Sequence, residues 1–344
     1  MKFLHIITKS EVGGAQTWVK NLAELYPEHS HLLLTSENGW LCEQSCFDDR
    51  FLIKEINSYS MISSILKIRK VIKETSPDII ITSSANAGLY GRLAAFLSRK
   101  KVVYISHGWS CLYNGGTFKL LFTLIEKIMS KLTGNIICVS HNDYQLALNK
   151  IGISSETMVC IPNKVPKPIV KNTINKYGID KNKVNFLFLA RLAYPKRADL
   201  LIDCIKNINV DNVMYHIVGD GPQYDSLKKY ACKNIIFHGA ISGFSDFELF
   251  DGLILLSDSE GLPMSVLEAG AAGIPLFLSN VGGCPELITS NGILTENNIT
   301  DGSKNLALFI DNLSEYNENA RKLSRFYQIE SSREKYNEFL LNEV

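Results

Sequence analysis

Short apolar runs alternate along the chain with longer segments whose apolar positions recur at helical spacing. In the first half the runs are Phe3–Thr8, His31–Thr35, Phe51–Ile56, Asp78–Thr82, Val102–Ser106, Asn135–Val139 and Thr157–Ile161. Helical periodicity covers Ala15–Tyr26, Met61–Glu74, Ala87–Ser98, Phe118–Leu132 and Asn142–Lys150. Pro162, Pro166 and Pro168 then fall close together, where neither helix nor central strand can continue. This stretch reads as an interdomain linker. The alternation restarts beyond it, with strands at Asn185–Ala190, Met214–Val218, Ile235–Phe237, Leu253–Leu256, Leu276–Ser279 and Gly292–Thr295. From Ser303 to Leu341 the pattern is helical, with breaks near Ser314 and Tyr327. Strands joined by crossover helices predict parallel sheets. The expected fold class is therefore α/β, with two doubly wound domains facing each other across a cleft. Ligands of such sheets bind at the carboxyl ends of the strands.

A length of 344 residues exceeds one ordinary core and suits two domains. Hydrophobic residues make up 46% and charged residues 21%, a globular balance. The net charge of +1 argues against non-specific nucleic-acid binding. Residues 1–164 carry 18 Lys/Arg against 13 Asp/Glu, and the remainder 18 against 22. A basic first half suits an anionic partner or membrane surface, although chance gives such a split as readily. The eight cysteines are scattered, and Cys42 and Cys46 lack a second pair to complete a zinc site. A reducing, cytoplasmic compartment fits that usage. The chain enters a strand at Phe3, which predicts no signal peptide. No apolar run reaches the ~18–20 residues that span a bilayer, so any membrane contact is expected to be peripheral.

The most informative stretch is Asp258-Ser259-Glu260-Gly261-Leu262-Pro263-Met264-Ser265-Val266-Leu267-Glu268-Ala269-Gly270. Pro263 suits the first position of a helix, where its missing N–H costs nothing. Glu260 then lies on the loop at the helix mouth, and Glu268 lies inside the helix, ~8 Å further along its axis. The free N–H groups of the first turn attract anions, phosphates above all. One carboxylate beside an anion site and another deeper in suit a ligand with hydroxyls flanking a diphosphate, as in a nucleotide sugar.

Other strand ends carry weaker signals. Gly13-Gly14 follows the first strand and lets backbone approach a ligand, although an ordinary tight turn explains it equally and the G-x-G-x-x-G fingerprint is absent. His107 precedes Gly108 and a polar loop with Ser110, Asn114, Gly115 and Gly116, which suggests exposure, while a lone His is more often structural. Arg191 and Lys196 offer a planar fork and a mobile point charge for phosphate oxygens, or simply a solvated basic loop. Gly219-Asp220-Gly221-Pro222 is a turn by its chemistry and also leaves room for a nucleotide. Gly282-Gly283 is a phosphate contact or a plain loop. The lysine-bearing helix Phe118–Lys131 is amphipathic; packing on its sheet is the commoner use of such a helix, and contact with anionic lipid is the other. No D-x-D triplet occurs, so a metal held by such a triplet is not expected.

In their order and spacing these motifs resemble the retaining glycosyltransferases of the GT-B fold, specifically the family 4 group. The resemblance covers essentially the whole chain. Its strongest element is the E-x7-E pattern of Glu260 and Glu268, supported by Gly13-Gly14, His107-Gly108, Val139-Ser140, Ile161-Pro162-Asn163, Arg191 with Lys196, and Val218 to Pro222. It implies two Rossmann-like domains, residues 1–165 for the acceptor and 166–327 for the nucleotide sugar, with 328–344 a terminal helix crossing back to the first. It implies that Glu268 binds the donor ribose and Glu260 the donor sugar. Arg191 and Lys196 would clamp the diphosphate, and His107 would lie near the reacting centre. Gly13, Gly14, Gly219, Gly261, Leu262, Pro263 and Met264 would complete the donor site. The implied reaction is metal-independent hexosyl transfer with retention and without a cofactor, from a UDP-sugar in preference to a GDP-sugar. A glycan or lipid-linked hydroxyl of a bacterial surface polysaccharide or lipopolysaccharide would be the acceptor, and nucleic acid is not a partner. Lys164 and Pro166 stand where the family often has Gly and Asp, which puts the hinge geometry in doubt. A GT-B epimerase, a phosphorylase, or a non-catalytic nucleotide-sugar-binding module remains the alternative.

Overall fold

The computed structural model describes residues 1–58, 60–113, 116–169, 177–208 and 210–341; Asn114 and Gly115 of the loop after His107 lie outside these. The chain forms two compact units, Met1–Asn163 together with the chain from Ser332 onward, and Lys164–Ser331. The divisions fall within a few residues of the boundaries read at 165/166 and 327/328.

The first unit holds a seven-stranded parallel sheet. Its strands are β1 (Lys2–Ile7), β2 (Ser30–Thr35), β3 (Asp49–Leu52), β4 (Ile79–Ser83), β5 (Lys101–Ser106), β6 (Ile136–Cys138) and β7 (Met158–Cys160), in the order β3-β2-β1-β4-β5-β6-β7. Consecutive residues Phe3 to Ile7 are all buried, as expected of a strand covered on both faces. The run read as Phe51–Ile56 is only partly strand. It supplies the end of edge strand β3, and Ile53 and Ile56 are buried at and within the 3₁₀ turn Lys54–Asn57. The helix read at Asn142–Lys150 is α-helical over His141–Leu146 and closes in a π turn, Ala147–Ile151.

The helical reading of the last forty residues holds, with breaks at Asn312 and Gln328, although parts of it are 3₁₀ or π in form. Helices Ile299–Asp311 and Leu313–Leu323 belong to the second unit and are followed by 3₁₀ turns, Ser324–Tyr327 and Ile329–Ser332. Only the short helix Arg333–Tyr336 and a π turn, Asn337–Leu341, pack on the first unit. There Tyr336 is buried and accepts from Trp18 Nε1 at 3.2 Å, and Tyr26 Oη donates to Asn337 at 2.7 Å.

The second unit holds a six-stranded parallel sheet, β8 (Val184–Leu189), β9 (Val213–Val218), β10 (Ile235–Gly239), β11 (Gly252–Leu255), β12 (Leu276–Ser279) and β13 (Gly292–Thr295), in the order β10-β9-β8-β11-β12-β13. Both sheets thus run outward from a central strand and then reverse, which creates a switch point beside β1 and another beside β8. Tyr327 is buried, donating to Leu287 O at 2.6 Å and accepting from Asn291 at 2.7 Å. It lies against Gly270, where a Cβ would come within 2.7 Å of the ring. The proline-rich stretch is free of helix and strand except at Val165, which pairs with Gln328.

The first unit also buries an ion pair. Arg92 on helix Ala85–Leu97 is fully buried, 4.1 Å above the Tyr104 ring, and bonds Glu126 on helix Lys119–Thr133 at 2.7 Å. Glu126→Ala would leave the guanidinium uncompensated and should cost about 3–5 kcal/mol, whereas Arg92→Met with Glu126→Leu should recover most of that loss. Urea unfolding midpoints of the two variants decide the point. A single variant of wild-type stability would mean that the pair carries no such burden.

Candidate active site

In the second unit the switch point lies between β8 and β11, and the loops leaving these strands are knitted together. Lys196 and Ser257 form an antiparallel bridge, Arg197 N donates to Leu256 O at 2.8 Å, and Asp258 N to Pro195 O at 2.8 Å. Arg197, which the sequence did not single out, grips Asp199 with two nitrogens and reaches Asp258 at 3.1 Å. Asn297 donates to Ser257 O at 2.8 Å and to Asp258 at 3.1 Å. No sequence spacing marks these residues, because apart from Asp199 the partners of Arg197 and Asn297 come from distant loops.

This frame brings Lys196 and Glu260 into direct ion-pair contact, with both side chains largely buried. Behind them lies Cys284, whose thiol is pushed up to about 12 by burial and by the Glu260 charge. Gly282-Gly283 now has an explanation. At Gly282 (φ +54) a Cβ would stand 1.8 Å from Glu260 O, and at Gly283 2.5 Å from Gly261 O. The glycine pair lets the loop after β12 lie directly on the backbone that carries Glu260.

Gly261, Leu262, Pro263 and Met264 lead from that backbone into the helix Met264–Ala271. A Cβ on Gly261 would meet no protein atom, so bare backbone faces solvent at the helix mouth. Pro263 is the residue before the first turn (ψ 128°), not the first helical position as read from sequence. Its carbonyl takes the Val266 and Leu267 amides, both at 3.1 Å. The helix start has no side-chain cap and no acidic residue in its first turn. Positive partial charge there is left for a ligand. Glu268 is the reverse case. Burial pushes its carboxyl up to about 7, and among the described residues it has no ion-pair or hydrogen-bond partner.

Arg191 sits on the other side of β8. Its exposed side chain borders a recess of about 530 Å³ at the ends of β8, β9 and β10, with Gly219, Asp220, Gly221 and Ile241. Gly219 (φ +148) allows a contact no side chain would, since its Cβ would fall 1.9 Å from Ala190 O. Its N–H is bonded to Gly239 O at 2.8 Å, so Gly219 shapes the recess without donating into it.

The first-unit candidates lie at the carboxyl edge of their own sheet. Gly13 caps the helix Gly14–Leu25 in an extended conformation (φ −173°), which any residue adopts, and the helix start again lacks a side-chain cap. His107 is half-buried, not open as expected. Trp18 packs edge-on at 5.5 Å, Nε2 is buried without a partner among the described residues, and burial lowers the imidazole to about 4. It is a neutral ring at physiological pH. At the switch point beside β1, Thr8 Oγ1 and Ser84 Oγ lie 2.7 Å apart, and Ser84 holds φ +76. That left-handed backbone on a non-glycine residue gave no signal in the sequence.

Residues 12–167 match Glycosyltransferase Family 4, and residues 170–325 match Glycosyl transferases group 1. The chain is 43% identical over 340 residues to the O-antigen biosynthesis glycosyltransferase WbnH of Escherichia coli, covering 98% of each. It is 26% identical over 332 residues to the UDP-Gal:alpha-D-GlcNAc-diphosphoundecaprenol alpha-1,3-galactosyltransferase of Escherichia coli, covering 88% of this chain and 85% of that one. Among solved structures it resembles Anabaena Alr3699/HepE in complex with UDP, with a TM-score of 0.84, 20% identity and 99% of both chains covered.

Glu268 gives a test of the site's electrostatics. A carboxyl that holds its proton to about 7 when folded, against 4.5 ordinarily, makes stability fall as pH rises through that interval. Glu268→Gln removes the penalty. It should be more stable than wild type by on the order of 1–3 kcal/mol at pH 8 and equal to it at pH 4, by urea unfolding at each pH. An equal gain at both pH values would refute a proton held by burial.

Proposed function

The chain belongs to the Family 4 and group 1 glycosyltransferases, and on that premise we propose that it moves a sugar from a nucleoside diphosphate sugar to a lipid-linked hydroxyl in surface polysaccharide assembly. The observation that carries the donor assignment is the meeting of Lys196 and Glu260 at the mouth of the helix Met264–Ala271, with the unpartnered Glu268 further along it. Cationic groups and the helix-mouth amides suit a diphosphate, and a buried carboxyl that can donate or accept suits ribose hydroxyls. UDP is the favoured base carrier, supported by the UDP-bound Anabaena protein and by the UDP-Gal named for the Escherichia coli relative. The O-antigen and diphosphoundecaprenol relatives support a lipid-linked acceptor. Among the described residues no cysteine is joined in a disulfide, in keeping with a cytoplasmic setting.

In the unliganded protein Glu260 neutralises Lys196. An arriving diphosphate competes for the lysine and leaves Glu260 to accept from the donor sugar. As the anomeric C–O bond breaks, negative charge grows on the departing phosphate, where Lys196 and the helix-mouth amides stabilise it. The acceptor hydroxyl attacks the same face through an oxocarbenium-like ion pair. Its proton passes to the leaving phosphate oxygen, so configuration is retained and neither a covalent enzyme intermediate nor a metal takes part. The absence of a D-x-D triplet accords with that route.

Lys196→Ala should lower turnover by roughly 10²–10³ with an unchanged circular dichroism spectrum. The assay is mass spectrometry on a panel of nucleotide sugars with a lipid-diphosphate-linked acceptor. Near-wild-type transfer by the variant removes Lys196 from the mechanism. Conversion of the nucleotide sugar without acceptor would make the protein an epimerase instead.

A further inference from the structure

Where β4 enters the helix Ala85–Leu97, several hydrogen-bond donors go unused. Ser84, the residue before the helix, gives it no side-chain cap, and the first turn has no acidic residue. Thr8, at the end of β1, reaches across instead and accepts from Ala87 N at 3.3 Å. The amides of Ala85 and Asn86 have no acceptor among the described residues. Ser84 Oγ accepts from Thr8 N at 3.2 Å and meets Thr8 Oγ1 at 2.7 Å. The two hydroxyls carry two protons and their mutual bond uses one, so one is left over.

Ser106 supplies an independent sign. It is fully buried, and its Oγ has no hydrogen-bond partner among the described residues. Ser106 and Tyr104 stand two apart on β5 and share a face of the sheet. The Tyr104 ring lies under this helix, 4.1 Å from the Arg92 guanidinium, and a Cβ on Gly88 would come within 2.5 Å of it. The helix runs back against the strands, since a Cβ on Gly91 would meet Ile6 and Thr82, whereas Ala87 meets Thr8. Ser106 is ~7 Å beyond Tyr104 along its strand, and Ser84 is ~6 Å beyond Gly88 along the helix. The register agrees: Ser83 pairs with Ile105, which sets Ser84 beside Ser106. The Ser106 hydroxyl is therefore aimed into the helix mouth.

Two amides, a leftover hydroxyl proton and the Ser106 hydroxyl all await an acceptor, at the positive end of a 13-residue helix. No Asp or Glu stands between Asp78 and Glu126 in the chain. Lys9 and Glu11, which follow Thr8, pair with each other at 3.5 Å. Donors gathered without an acid fit a ligand group made only of acceptors, a phosphate. We propose that the mouth of Ala85–Leu97 is a phosphate site of the first unit's own, and that it holds the diphosphate of the lipid-linked acceptor. The identity of the acceptor rests on the proposed function; the phosphate site does not.

The test is isothermal titration of the full chain with pyrophosphate in saturating UDP, which keeps the nucleotide site occupied. Wild type should bind. Ala85 is exposed and an acid suits the first turn of a helix, so Ala85→Asp should unfold at a urea midpoint equal to or above wild type. Its charge takes the place of the anion and should weaken pyrophosphate binding by about tenfold or more. Ala85→Asn, of the same shape without the charge, should stay within about threefold of wild type, and Ser106→Ala should lose roughly threefold to tenfold. With a lipid-diphosphate-linked acceptor, Ala85→Asp should raise the acceptor KM about tenfold and leave kcat within about twofold, the mark of lost binding. No pyrophosphate binding by wild type, or equal loss in Ala85→Asp and Ala85→Asn, would overturn the phosphate site. Lost pyrophosphate binding with an unmoved acceptor KM would overturn the acceptor assignment and make a free phosphate the ligand. Failure of UDP to bind would count against the donor reading alone, because the comparison of the two Ala85 variants still decides this site.

Discussion

The contact on which the candidate site of the second unit depends is the ion pair of Lys196 with Glu260. It joins the loop after β8 to the loop after β11, the two strands between which the sheet reverses direction. Such a reversal opens a gap that no crossover helix fills, and the chain closes it here with one cation and one anion. The backbone beneath the pair is fixed independently of it. Arg197, Asp258 and Asn297 hold one side. Gly282 and Gly283, pressed against the Glu260 and Gly261 carbonyls, hold the other.

Charge is placed unevenly around this frame. Lys196 has its counter-ion, whereas Glu268 has burial and, among the described residues, no partner, and so keeps its proton close to neutrality. Hydroxyl donors on a ligand would repay that burial and draw the proton off, so binding and protonation are coupled at this residue. His107 in the first unit is neutral for the same reason, desolvation under Trp18. Desolvation without compensation thus recurs at the carboxyl edges of both sheets, where perturbed groups mark function more often than structure.

The first unit applies the opposite arrangement at Arg92. There a fully buried guanidinium is compensated by Glu126 and by the face of Tyr104. Satisfying Arg92 turns Glu126, with Met129 and Ser130, inward and leaves the leucines and lysines of helix Lys119–Thr133 facing out. One buried charge therefore fixes the rotation of a helix, and with it the character of a whole surface.

Much of this was legible in the chain. The apolar runs marked the strands to within a few residues, since residues buried on both faces of a parallel sheet give an uninterrupted signal. The E-x7-E stretch marked its loop and helix, because a proline and two carboxylates speak through local chemistry. Edge strand β3 was blurred by Ile53 and Ile56, apolar for a turn instead of a ladder. Pro263 fits a cap as well as a first turn, and only its ψ separates the two. The close contact made by Gly282-Gly283, the partial covering of His107 and the rotation of the amphipathic helix Lys119–Thr133 were not legible. Each is set by an atom far away in sequence: the Glu260 carbonyl, the Trp18 ring, the Arg92 guanidinium. The sequence by itself determined the elements and the chemical groups, through local spacing and side-chain type. Tertiary structure alone decided which groups are paired, which are left desolvated and which way a helix turns, because those depend on distances across the fold that periodicity does not encode.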